Sequence, residues 1–189
     1  MLIERHVLNN YLRLENNVDI TDPCYDRDVW CRMTVTNMKP GDYRCSYYLG
    51  AGLDEAGIAE AKESYRQIKS KCYIKRTEAE YIADWEEDIK GRCFIIEIQL
   101  KGRHFDIDSR QWTAIGNIGV DAGLAGFFPD KPDFNDNEWT DFCSRMPIGA
   151  WTFFEEGLGF WSRSGYGDGS YDVYAIEEEG QTIALKICF

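Results

Sequence analysis

Basic residues are scarce in this chain and histidine is nearly absent: 21 Lys and Arg stand against 33 Asp and Glu, with two His, for a formal net charge of −12. Binding to a phosphate backbone depends on Lys and Arg displacing counterions, so the balance argues against a direct nucleic-acid binder. An anionic membrane surface is disfavoured on the same ground. No apolar run approaches the roughly 20 residues a spanning helix requires. The opening Met1-Leu2-Ile3-Glu4-Arg5-His6 carries an early acid and lacks the apolar core of a signal peptide. No C-x-x-C pair occurs among the seven cysteines, at 24, 31, 45, 72, 93, 143 and 188, and their number is odd. Neither a zinc knuckle nor a secreted disulfide framework is indicated, so reduced thiols in a cytoplasmic protein are expected. No repeat, low-complexity tract or long linker divides the 189 residues, a length that fits one domain.

What the chain does have is aromatic side chains, 6 Trp, 11 Tyr and 10 Phe, which suit a pleated surface. Period-two alternation marks Trp30 to Thr36, and Tyr43 to Leu49 follows the turn composition of Lys39-Pro40-Gly41-Asp42 as the return arm of a hairpin. Cys93 to Leu100 is a further strand. The chain ends in a hairpin from Tyr171 to Ile176 and back through Ile183, Leu185 and Ile187. Ile58, Ala61, Tyr65 and Ile68 recur at helical spacing within Asp54 to Lys71, a second helical pattern covers Glu78 to Ile89, and a short helix over Glu138 to Arg145 is capped by Asn135 or Asp136. Residues 50–90 thus read as a helical insertion or covering layer. The fold class expected is α+β, mainly antiparallel sheet as a sandwich or partly open barrel, with two or three covering helices.

Three aspartates adjoin Pro or Gly in turn-like settings: Asp22 before Pro23, Asp121 near Gly123, and Asp168 between Gly167 and Gly169. Brought together, Asp22, Asp121 and Asp168 would make an oxygen-rich site for Ca²⁺ or Mg²⁺, or a pair of carboxyl groups for acid–base work. Such aspartates also make turns by bonding their own backbone. Tyr25, Trp30, Tyr166, Tyr171 and Tyr174 supply flat faces that would either line a ligand pocket or pack in a β-rich core. Cys24 is a conceivable nucleophile with His104 or His6 as base, though neither histidine lies in a recognisable signature. Gly165-x-Gly167-x-Gly169 lacks the register of a nucleotide loop.

Taken in order, Asp22-Pro23-Cys24-Tyr25, Val120-Asp121-Ala122-Gly123 and Ser164-Gly165-Tyr166-Gly167-Asp168-Gly169-Ser170-Tyr171 resemble three blocks of a family of bacterial and bacteriophage proteins catalogued as a domain of unknown function. Those proteins tend to have Pro after the last Tyr, where this chain has Asp172. The resemblance implies a cytosolic bacterial or phage protein and groups Asp22, Tyr25, Asp121, Tyr166, Asp168 and Tyr171 as candidate ligand contacts. Three functions fit this reading: a small-ligand or divalent-cation binding domain, an acidic protein that binds a basic host or defence protein, and an Asp-dependent hydrolase.

Overall fold

In the computed structural model, which describes residues 1–26, 31–72 and 75–189, alternating segments become strands of two antiparallel sheets. The larger sheet has the order β1-β4-β5-β11-β10-β6, formed by β1 (Leu2–Leu14), β4 (Gly41–Gly52), β5 (Cys93–Leu100), β11 (Gln181–Cys188), β10 (Gly169–Glu178) and β6 (Thr113–Val120). The smaller has the order β3-β2-β7-β9-β8, from β3 (Arg32–Val35), β2 (Val18–Thr21), β7 (Leu124–Phe128), β9 (Gly159–Arg163) and β8 (Thr152–Glu155). Both stay open at their edges, so the architecture is a sandwich with helices and not a barrel. One apolar core joins Tyr43, Ile96, Ile98, Leu185 and Ile187 of the first sheet to Ile20, Phe127 and Phe160 of the second. Burial of such side chains is worth about 1.5–3 kcal/mol each.

The helices follow their sequence signals. In α1 (Glu55–Lys71) the Asp54 side chain caps the Gly57 amide, and in α2 (Glu78–Ile89) Thr77 and Glu80 form a reciprocal capping box. The pair docks beside β4, where Gly50 comes so close to α2 that a Cβ there would lie 2.2 Å from the Ile89 carbonyl oxygen. Asn135 caps α3 (Asp136–Ser144), whose Phe142 is buried against Trp161 and Phe153 on the outer side of the smaller sheet. Among the described residues no helix is long and apolar enough to cross a membrane.

One expectation fails. The hairpin from Trp30–Thr36 to Tyr43–Leu49 does not form: β3 pairs with β2, whereas β4 joins β1 and β5 in the other sheet. The intervening Asn37-Met38-Lys39-Pro40 is a crossing, with the Met38 and Lys39 amides bonded to the Asn16 and Thr182 carbonyls and Met38 buried. Trp30 itself lies outside the described residues. Asn9-Asn10 falls at an irregularity between Val7 and Tyr11 within the long β1.

A buried polar row crosses the outer face of the larger sheet, beside the apolar cluster of Ile176, Ile183 and Ala184. Glu97 is fully buried there, accepting from Arg5 at 2.5 Å and from Gln99 at 3.2 Å. Residues 101–112 cover this row: the Gln99 side chain bonds both the amide and the carbonyl of Phe105, and Lys186 donates to the Ile107 carbonyl beneath Trp112.

Candidate functional site

The chain passes between the two sheets twice at one corner. From β6 it reaches β7 through Asp121-Ala122-Gly123, and from β9 it returns to β10 through residues 164–168. The Ser164 amide bonds the Gly123 carbonyl at 2.9 Å, so the two crossings run side by side. Asp22, just past the end of β2, closes the corner from a third direction. Its Oδ2 accepts the amides of Asp121 at 2.9 Å and Ala122 at 2.7 Å, and its Oδ1 accepts the Cys24 amide at 2.9 Å.

This carboxylate is fully buried and committed to main chain. Burial raises its pKa above the ordinary Asp value, against the lowering pull of the three amides. Asp121 is exposed and accepts the Tyr25 hydroxyl, which holds the Tyr25 phenol well above its usual pKa. Asp168 is exposed, one step beyond the Gly169–Val120 pair of the β10–β6 ladder, and makes no hydrogen bond of its own among the described residues. The three carboxylates therefore belong to one corner, yet they do not share a guest. Among the described residues no group of three His, Cys, Asp or Glu could hold a metal ion. The Ca²⁺ or Mg²⁺ reading of Asp22, Asp121 and Asp168 thus lacks a ligand set: Asp22 has spent its oxygens on amides.

Of the tyrosines, Tyr171 is buried and braces the turn, its hydroxyl donating to the Gly167 carbonyl at 2.7 Å. Tyr174 lies away from the corner, against Lys186 on the outer face of the larger sheet. Tyr166 alone presents its ring, 63% exposed, at the apex of the 164–168 turn. That turn is rigid. Ser164 Oγ donates to the Gly167 carbonyl at 2.5 Å, and Arg92 donates to the Gly165 carbonyl at 3.0 Å. Gly167 has φ +82°, which a side chain would strain, and a Cβ on Gly165 would meet the Cys93 carbonyl oxygen at 2.5 Å. Cys24 is exposed, yet partial desolvation and the Asp22 charge raise its thiol pKa, the opposite of what activates a nucleophile.

Beside these turns lies a cleft of about 660 Å³, lined by residues 122–124 and 164–167 and by Trp139, Cys143, Trp151 and Arg163. Its size falls within the ~300–1,000 Å³ usual for small-molecule sites. Trp139 and Cys143 are one helical turn apart on α3, so docking of Phe142 in the outer core turns both toward the opening. Arg163, the last residue of β9, is half-buried, with its Nε donating to the Ala150 carbonyl at 3.0 Å and its guanidinium 5.8 Å from the Phe153 ring centre. Burial raises the Cys143 thiol pKa and Arg163 partly offsets the rise. Sequence reasoning missed Arg92, Trp139, Cys143, Trp151 and Arg163, because each stands in a separate element or carries no local motif.

Comparison with family models, with curated proteins and with solved structures finds no match. The reading of the corner rests on its own geometry: a rigid glycine turn, an amide-bound carboxylate, and an aromatic cleft with a guanidinium in its wall.

Proposed function

We propose that this chain is a binding domain whose guest is a small organic molecule seated in the cleft beside the Ser164–Gly167 turn. The observation that supports it is the meeting of residues 122–124 and 164–167, Tyr166 among them, with Trp139 and Trp151 around one opening. Apolar walls with a few fixed polar groups are the usual make-up of such sites. A divalent cation is a poorer guest, because Asp22 is buried and accepts three amides and Asp121 is engaged by a phenol. The seven cysteines are all unpaired, which supports a reducing, cytoplasmic setting.

Cys143 reports on occupancy from inside the cleft, and the exposed Cys72 at the far end of α1 serves as internal control. Peptide-resolved alkylation of the intact chain, with and without each member of a panel of nucleosides, nucleotides, aromatic acids and sugars, tests the reading. A ligand that quenches tryptophan fluorescence and slows labelling at Cys143 but not at Cys72 is expected. A panel in which nothing protects Cys143 selectively would sink it.

A further inference from the structure

Resting on that small-molecule reading, we infer that the guest is a flat aromatic monoanion, with its acidic group paired to Arg163 and its ring laid against the tryptophans of the cleft. The starting point is a charge without a counter-charge. Arg92, in the same wall, is held by Asp88, and elsewhere Arg32 is held by Asp19, Arg5 by Glu97 and Arg145 by Glu155. Among the described residues Arg163 faces no carboxylate within ion-pair distance, although acids outnumber bases heavily in this chain. Its terminal nitrogens are not among the buried unpartnered atoms of the described residues, so they stand open to solvent and to an arriving anion.

Its side chain is nevertheless fixed. The bond from Nε to Ala150 and the packing over Phe153 orient the fork, and neither terminal nitrogen is engaged by a described residue. A planar fork held this way suits an oxyanion taken by two parallel N–H bonds. Trp139, braced by Phe134 and Phe142, borders the same opening with Trp151 and with Tyr166, which stands edge-on to Phe94; an aromatic border of this kind favours a planar group. The overall charge of −12 limits the charge of the guest, since one uncompensated arginine does not offset the repulsion felt by a polyanion. A single acidic group, whether a carboxylate or a phosphodiester, matches the site.

The test uses two pairs of probes on the full chain by calorimetry: naphthalene-2-carboxylate against 2-naphthamide, and 3′,5′-cyclic AMP against adenosine. A charged hydrogen bond is worth ~1.5–3 kcal/mol, or about ten- to a hundred-fold in affinity, so within at least one pair the anion should bind at least about tenfold more tightly. Which pair responds tells a carboxylate from a phosphodiester. Arg163→Met should erase the preference while leaving the neutral partner bound, and Arg163→Lys, which keeps charge without the fork, should retain part of it. Thermal melts confirm that both variants fold. In the wild type the bound anion should also raise the Cys143 thiol pKa further, slowing its alkylation at pH 8. Equal binding of neutral and anionic partners, or a preference that survives Arg163→Met, would overturn the inference and leave the cleft reading standing. No selective protection of Cys143 by any compound would overturn both.

Discussion

Replacing Asp22 by asparagine probes the corner most directly. The carboxylate presents two acceptor oxygens to three buried amides, Cys24 on one side and Asp121 with Ala122 on the other. A carboxamide has one acceptor oxygen, so whichever way the substituted side chain is turned its NH₂ points at one or two N–H groups. A buried donor left unsatisfied costs about 1–3 kcal/mol, and Asp22→Asn should lose about that much stability. Asp22→Ala abandons all three amides and should lose about 3–5 kcal/mol on the same basis. At ~2–4 °C per kcal/mol for a chain of this size, a loss of about 3 kcal/mol lowers Tm by roughly 6–12 °C. Urea unfolding with unchanged slope gives the free energies, and hydrogen exchange at the Asp121 and Ala122 amides should accelerate first. The pH dependence has a definite sign. Because burial holds the folded pKa of Asp22 above the unfolded value, the proton is bound more tightly in the folded state. The stabilisation from this group is complete below the unfolded pKa and is lost as pH rises through the folded one. Wild type should therefore gain on Asp22→Asn as pH falls across that window. A change smaller than about 0.5 kcal/mol in both variants at neutral pH would refute the amide-clamp account.

Gly50→Ala pushes a methyl against the Ile89 carbonyl and the Phe94 ring, so α1 and α2 should loosen while the sheets hold. Faster hydrogen exchange confined to residues 55–89, at a cost of about 1–3 kcal/mol, is expected; unchanged helix protection would contradict the docking. The thiols should divide cleanly. Cys24 and Cys72 are exposed and should react with a disulfide reagent in the native protein, whereas Cys45 and Cys93, pushed up to about 12 by burial, should react only on unfolding. Rapid native labelling of either buried thiol, resolved by peptide mapping, would count against the core as described.

Much of the framework was legible because local signals and tertiary structure agree. Asp54 and Thr77 cap their helices where apolar spacing begins, and Glu179-Gly180 turns the last hairpin with φ of 53° and 77°. The strands β8 and β9 were not legible. Gly159-Phe160-Trp161-Ser162 is buried on both faces, so its side chains show no alternation that would set it apart from a loop with aromatics. The false hairpin between β3 and β4 came from composition: Lys39-Pro40-Gly41-Asp42 reads as a turn whether the chain folds back or crosses to another sheet. At the corner, the residues flagged in the three sequence blocks do lie near one another, but their duties differ from those a carboxylate or tyrosine suggests. Asp22 and Tyr171 serve the main chain, while the cleft is furnished by Trp139, Trp151 and Arg163, whose proximity depends on three segments folding together.

Residues 101–112 are fastened to their sheet in two ways: Gln99 and Lys186 bond the segment's backbone, while Phe105 and Trp112 pack on the apolar cluster of Ile176, Ile183 and Ala184. If that flap lifts, water can solvate the uncovered carboxylate and ammonium at once. The same motion bares the apolar cluster beneath Phe105 and Trp112, much as a departing α3 would bare its own aromatic bed. Cleavage within this flap should therefore leave a particle that associates more readily than the intact chain.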